Sequence, residues 1–481
     1  MIIELILFLP LISCVALIIF KKITFSRILV LVNAFALLFY SLSLYLAFIN
    51  NSKITSLLGQ YFKIDALNIL FLLILSIVFM AVSIYSCGYV KSINMHNKKA
   101  TYYSVGLLLF IFTMLGTVLS SNIALSWVFL EGTTLTSAYL IYFEKTKQSL
   151  EATWKYVFIC SIGISLGFVG IILLALSTHN SSSMFFIDLY SHYSNFNTLW
   201  MNLGFVFFII GIGTKAGLAP VHSWLPDAHS EAPSPVSALL SGMLLNTALL
   251  LVLRYYHILN LADCASYGRL LFLIMGILSI FVTAVYVFTI KNYKRMLAYS
   301  SVENMGIISI GLALGKTGVY AALIHLIFHS FAKSSFFMTS GNIYVKFKTK
   351  RIDKVSDMIT CDPPTGWLWI LTFIVISGIP PSPLFISEFL IIKELLADKH
   401  YIILVLFILL LTIIMYGIAR CVINMTFGKR PNSDHFDYIE QTKLPWTMYA
   451  PQFVLLAILA FSGIYLCPFL IEMIKTAAQL I

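Results

Sequence analysis

Apolar residues in this chain gather into uninterrupted runs of about 20, separated by short polar stretches, without the alternation of a half-buried strand or the one-sided stripe of a soluble helix. A helix of that length crosses a hydrocarbon core roughly 30 Å thick. Fourteen spans are predicted, at 2–20, 25–48, 67–88, 103–120, 122–142, 153–177, 200–221, 234–258, 268–290, 298–315, 317–344, 365–396, 402–425 and 447–472. Membrane strands are excluded, because the runs lack the roughly ten-residue alternation of a barrel and lipid tolerates no other open backbone. The pattern predicts an all-α, polytopic integral membrane protein. Its first run has no basic residue ahead of it and no small-residue cleavage site, so it reads as a span rather than a signal peptide.

Two runs are broken from within. The stretches KAGLAPVHSWLP (215–226) and SGIPPSPLF (377–385) place glycine and proline inside apolar spans, which removes backbone donors and interrupts the helical ladder. Freed carbonyls at membrane depth survive only where protein or a wet cavity solvates them. Paired breaks in two halves of a chain point to an ion or substrate site between inverted repeats. The breaks lie about 160 residues apart, so the expected division is N-terminal helices over 1–102, a five-helix repeat over 103–258, a second over 268–425 and a C-terminal helix over 447–481.

Composition narrows the function classes. Of 481 residues 60% are hydrophobic and 11% charged, whereas a soluble domain carries about a quarter charged. The seven cysteines are scattered singly, with no spacing that suits an iron–sulfur, zinc or haem site, so neither cofactor nor metal is expected in this chain. A net charge of +11 raises the question of nucleic acid, but the basic residues lie in short loops between spans, where membrane topology accounts for them. With the N-terminus outside, the odd-numbered loops and adjoining span ends carry 20 of the 31 Lys and Arg, against six on the other side. Both termini are therefore expected outside the cytoplasm, in the inner membrane of a prokaryote.

An ionisable group at the bilayer centre costs about 2.5–3.5 kcal/mol on insertion scales, so each one needs a reason. Glu131 lies mid-span, as a proton carrier or as a carboxylate tying helices together. Lys215 stands just before the first break. Burial favours the neutral form of a lysine and a nearby carboxylate favours the charged one, an opposition that can load a proton on one side and release it on the other. His325, His329 and Lys333 recur at intervals of four, on one face of the eleventh span. A proton wire suits them better than zinc, since no third ligand accompanies the pair. Glu388 follows the second break as a terminal donor or acceptor, with Lys393 as its partner or as a snorkelling side chain. Lys155 opens the sixth span, to pair with Glu131 or to serve as a loop cation. Lys291, Lys294 and Arg295 read as anchors on the positive side, and His222, Asp227, His229 and Glu231 as mouth residues that collect protons or cap the next helix.

The segment GTKAGLAPVHSWLPDAHSEAPSPVSALLSG (213–242) resembles the signature of proton-conducting antiporter-like membrane subunits, found in respiratory complex I, multi-subunit cation antiporters and energy-converting [NiFe]-hydrogenases. LAYSSVENMG (297–306), HLIFHSFAK (325–333) and FISEFL (385–390) match the same family in order. LEGTTL (130–135) and EATWKY (151–156) most resemble the F subunits of hydrogenase-4, a formate-hydrogenlyase type complex. The resemblance implies fourteen helices in two inverted five-helix repeats, with Glu131, Lys215, His325, His329 and Glu388 at the family's charged positions. One departure stands out: where complex I subunits commonly place Lys or His in the eighth helix, this chain has Asn246, which bonds water but carries no proton. The chain also ends soon after the fourteenth span, without the long lateral helix of the most distal complex I subunit.

The expected function is proton or sodium translocation within a redox-driven complex. Its partners would be other membrane subunits and peripheral hydrogenase or quinone-reductase-like subunits that supply the energy. Alternatives are a non-redox Na+(K+)/H+ antiporter subunit, the energising subunit of an inorganic-carbon uptake complex, and a structural anchor with silent charges.

Overall fold

A computed structural model describes residues 2–50, 60–178, 183–192, 196–429 and 443–481. The principal helices are α1 (Ile2–Phe20), α2 (Ile23–Ile49), α3 (Ala66–Ser92), α4 (Asn97–Leu119), α5 (Ile123–Ile141), α6 (Lys147–Ser177), α7 (Phe186–Ser191), α8 (Thr198–Ala216), α9 (Leu225–Glu231), α10 (Ser234–Leu261), α11 (Ala265–Tyr286), α12 (Tyr293–Ala313), α13 (Lys316–Phe347), α14 (Pro363–Ile376), α15 (Pro383–Ala397), α16 (Tyr401–Phe427), α17 (Ala450–Ile464) and α18 (Pro468–Ala478). No strand occurs among the described residues, only three isolated bridges. Ten helices are long and apolar enough to cross a membrane, and α17 with α18, bent by 84°, makes an eleventh if taken as one span. The three other predicted spans are α5 and α12, diluted by polar residues, and α14 with α15, divided by the second break. Helices thus occupy all fourteen predicted positions, while length and apolarity by themselves do not reach the count of fourteen.

Burial sorts the helices into layers. The most apolar windows of α10 and α13 are entirely buried, whereas about a third of those in α2 and α16 is. A helix apolar all round belongs at the centre of such a bundle, and one buried along a stripe belongs at its lipid-facing rim. α6 and α8 approach closely through small residues: a Cβ on Gly211 would collide with the Gly167 nitrogen and the Gly163 carbonyl. At one end of the bundle Arg254 of α10 clamps Asp65, the N-cap of α3, at 2.5 Å. Burial pushes the Asp65 carboxyl up, but the guanidinium and the Asn68 backbone N–H outweigh it and hold that carboxyl below its usual range.

The chain builds the same pieces twice, in the same order. Asn122 caps α5, accepting from the Ala124 and Leu125 N–H groups, and Asn292 caps α12 in the same way through Lys294 and Arg295. Both caps sit in a two-bond bridge to a later segment: Phe186 N–H to Ser121 (2.9 Å) with Ile123 N–H to Met184 (3.1 Å), and Ile352 N–H to Lys291 (2.9 Å) with Tyr293 N–H to Lys350 (3.1 Å). In each set a long helix follows, α6 or α13, and then a broken one.

The breaks themselves share their backbone pattern. Leu218 N–H reaches Gly213 and Gly217 N–H reaches Thr214; Ile379 N–H reaches Ile374 and Gly378 N–H reaches Val375. Gly217 and Gly378 take φ of 75° and 62°, the left-handed region where a Cβ is unfavourable. Freed polar groups find partners inside the protein: the Trp224 indole donates to the Thr214 carbonyl (2.8 Å), Ala219 N–H to Ser279 Oγ (2.9 Å) and Ser382 Oγ to the Val375 carbonyl (2.9 Å). At the second break the Glu388 carboxylate occupies the space a Cβ of Gly378 would need.

Two predictions follow from this packing. Gly211→Leu is expected to separate α6 from α8 and to destabilise the protein by about 1–3 kcal/mol, the usual cost of overpacking, measured as thermal unfolding in detergent; an unchanged midpoint would refute the close contact. Gly378→Ala combines backbone strain with the clash against Glu388, so adding Glu388→Ala should restore part of the lost stability. Strictly additive losses in that double-mutant cycle would place the carboxylate elsewhere.

Candidate functional site

The first cluster surrounds the end of α8. Lys215 is 0% exposed, and its Nζ donates to Thr134 Oγ1 (2.8 Å) and Tyr156 Oη (2.6 Å). Thr134 in turn donates to Glu131 Oε2 (3.4 Å), and Ser161 donates to Oε1 (2.9 Å). Ser137 Oγ shares a 2.5 Å hydrogen bond with Tyr156 Oη. Among the described residues the lysine and the glutamate form no direct ion pair; a threonine hydroxyl stands between them. Glu131 is partly exposed, at the flank where Trp154, Phe158 and Ile162 of α6 are also uncovered.

The second cluster lies along α13. His325 is held at both ring nitrogens, by Ser387 Oγ (2.9 Å) and Asn304 Oδ1 (3.0 Å), while neither nitrogen of buried His329 has a partner among the described residues. The two rings lie nearly parallel, with centroids 6.5 Å apart. Lys333 is fully buried and donates to the Leu297 carbonyl of α12 (2.9 Å). Glu303 of α12, only 9% exposed, is in electrostatic reach of both Lys333 and Glu388. The chain of predicted groups therefore contains a carboxylate that the span-by-span reading passed over. Its signal was present: a charge inside the predicted span 298–315, no less anomalous than Glu131.

α10 separates the clusters and contacts both regions. It contains a π turn, Leu240–Leu244, a feature frequent at functional positions. Just beyond it the Asn246 amide donates to the Gly242 carbonyl (2.9 Å) and to Ser330 Oγ (2.7 Å), next in sequence to His329, and its Oδ1 has no partner among the described residues.

Other positions separate more plainly. Lys155 does not approach Glu131. Half-exposed at the lysine-rich end, it pairs with Glu151 (2.6 Å) and Asp227 (3.3 Å), and Asp227 also binds Arg295 (3.0 Å). Lys393 is exposed, as a snorkelling lysine would be. Lys294, read from sequence as a surface anchor, is 2% exposed instead, because α9 closes over it. Nothing in the basic run 291–295 distinguishes it from its neighbours. Among the described residues no three His, Cys, Asp or Glu side chains converge as a metal site.

Known proteins resemble this chain in sequence and in fold. The family described as NADH:quinone oxidoreductase/Mrp antiporter, TM matches residues 120–415, which include both breaks. A hydrogenase-4 component F homolog of Methylacidiphilum infernorum (isolate V4) is 32% identical over 437 residues, covering 88% of this chain and 89% of that protein. A chain in the structure of the membrane-bound sulfane sulfur reductase, an archaeal respiratory membrane complex, superposes with a TM-score of 0.86 at 22% identity, over 99% of this chain and 97% of the other. One from the Mrp complex of Dietzia sp. DQ12-45-1b superposes with a TM-score of 0.87 at 16% identity, over 99% and 96%. With a family match across well over half of its length and a relative of this identity along most of it, the chain belongs to the membrane-subunit family of NADH:quinone oxidoreductases and Mrp antiporters.

Proposed function

We propose that this chain is the ion-translocating, non-redox subunit of a redox-driven membrane complex of the energy-converting hydrogenase or formate hydrogenlyase kind, in a prokaryotic cytoplasmic membrane. The observation that carries this reading is Lys215: a fully buried lysine whose side-chain partners are two hydroxyls, with the Glu131 carboxylate one hydrogen bond further on. Such a lysine exchanges a proton according to whether the carboxylate moves toward it or away. The path then runs past Asn246 to His329, His325 and Lys333, and ends at Glu303 and Glu388. Asn246 binds water without carrying charge, so transfer across α10 proceeds through bound water. Lys155 belongs to the mouth on the lysine-rich, cytoplasmic side and not to the buried line.

Two inverted repeats, over 103–258 and 268–425, supply the halves of this path. Five membrane crossings separate Asn122 from Asn292, which sets the duplicated caps on opposite faces. The similarity to a hydrogenase-4 component supports a redox-driven complex, and the partner subunits supply the energy.

In the purified complex reconstituted into vesicles, Lys215→Met and Glu131→Gln are each expected to lower proton flux at least tenfold while the complex still assembles. Wild-type flux in both variants would leave these charges silent and the reading wrong. Co-purification of hydrogenase or quinone-reductase-like subunits is the expected companion result; flux that needs a Na+ or K+ gradient and no electron donor would identify an antiporter instead.

A further inference from the structure

Lys294 belongs to the opening turn of α12, and its ammonium donates at 2.5 Å to the carbonyl of Ala232, the residue that ends α9. Three charged groups from other elements face it: Glu231 of α9, Lys350 beyond α13 and Glu144 beyond α5. Glu231 and Lys350 pair at 2.9 Å and are both partly exposed, so the cluster reaches water. A cation on the last carbonyls of a helix is by itself a sound structural arrangement.

His229, three residues before Ala232, is harder to explain as structure. It is 0% exposed, no side chain among the described residues bonds either ring nitrogen, and the one polar group set against the ring is the Ser237 backbone, outside good hydrogen-bond geometry. Its ring stacks on Phe337 with centroids 4.9 Å apart and planes 20° from parallel. Phe337 follows Lys333 by one turn on α13. The ammonium groups of Lys294 and Lys333 both face the imidazole. Polar nitrogens left bare in a core are costly, and bound water is the partner that resolves the cost.

Taking the chain as an ion-translocating subunit, we infer that Lys294 and His229 form an entrance from the lysine-rich face that loads Lys333 directly, without passing Glu131 or Lys215, in a cycle that requires both loadings. A proton leaves Lys294 Nζ, which becomes a neutral amine. The imidazole accepts a proton at one nitrogen and releases one from the other. Lys333, neutral at that moment, becomes an ammonium, and Lys294 regains its proton from water beside Glu231. One proton enters, one arrives, and no other group changes.

Lys294→Arg separates structure from transfer, because arginine can still hold the Ala232 carbonyl but does not give up its proton. In the intact complex in vesicles, it is expected to assemble in wild-type amount and to lose proton flux at least tenfold. His229→Gln, which keeps polarity without titration, should do the same and decides alone if the arginine variant fails to assemble. The entrance is overturned if these variants keep more than half of wild-type flux while Lys215→Met abolishes it. If Lys215→Met also transports normally, the function proposed for the whole chain falls with it.

Discussion

A backbone polar group inside a lipid-embedded bundle has to find its partner within the protein, and this requirement shapes the centre of the molecule. Both breaks would be untenable as open loops in hydrocarbon. They persist because Trp224, Ser279 and Ser382 supply the donor or acceptor that the helix has given up. Those bonds let the chain turn inside the bundle with its freed backbone groups satisfied. Lys215, just ahead of the first turn, and Glu388, just after the second, are held where an ordinary helix would present apolar side chains.

The two halves share a scaffold and differ in charge. Asn-capped helix, bridge, long helix and break repeat with nearly the same hydrogen bonds. The first half sets a carboxylate on its capped helix, α5, and a lysine at its break. The second sets its lysine on the long helix, α13, facing the α12 carboxylate Glu303, which in turn faces Glu388 of α15. Carboxylates therefore stand at both ends of the series, Glu131 at one and Glu303 with Glu388 at the other, and Lys215, neutral Asn246, the histidines and Lys333 lie between them. Partners such as Thr134 and Leu297 bind a lysine without fixing its charge, as a direct carboxylate pair would. Groups held this way respond to small displacements of their neighbours, which is what relaying a proton demands.

Family membership concerns the same stretch of the chain. The matched region covers α5 to the middle of α16, and so includes both breaks and every ionisable residue of the proposed path. The helices before and after it, α1 to α4 and α17 with α18, frame that region. α3 holds it through the Asp65–Arg254 clamp on α10 and through Tyr85 Oη, which donates to Asn342 Oδ1 of α13 (3.1 Å), and Gly463 of α17 lies against Pro381 of the second break.

Hydrophobic run length determined the class and where the helices fall, and glycine and proline within the runs marked the two breaks, because each depends on a short stretch of neighbouring residues. The misplaced charges were legible for the same reason: Glu131, Lys215, His325, His329, Lys333 and Glu388 stand out against apolar neighbours, and Glu303 did as well. What the sequence left open was which charges meet and which face water. Lys155 and Lys294 occupy similar basic, loop-edge settings. One lies half-exposed beside Asp227, and the other is sealed beneath α9. Burial is a property of what the remainder of the chain packs on top, and a lysine's electrostatic role follows from burial, so only the tertiary structure could tell these two apart.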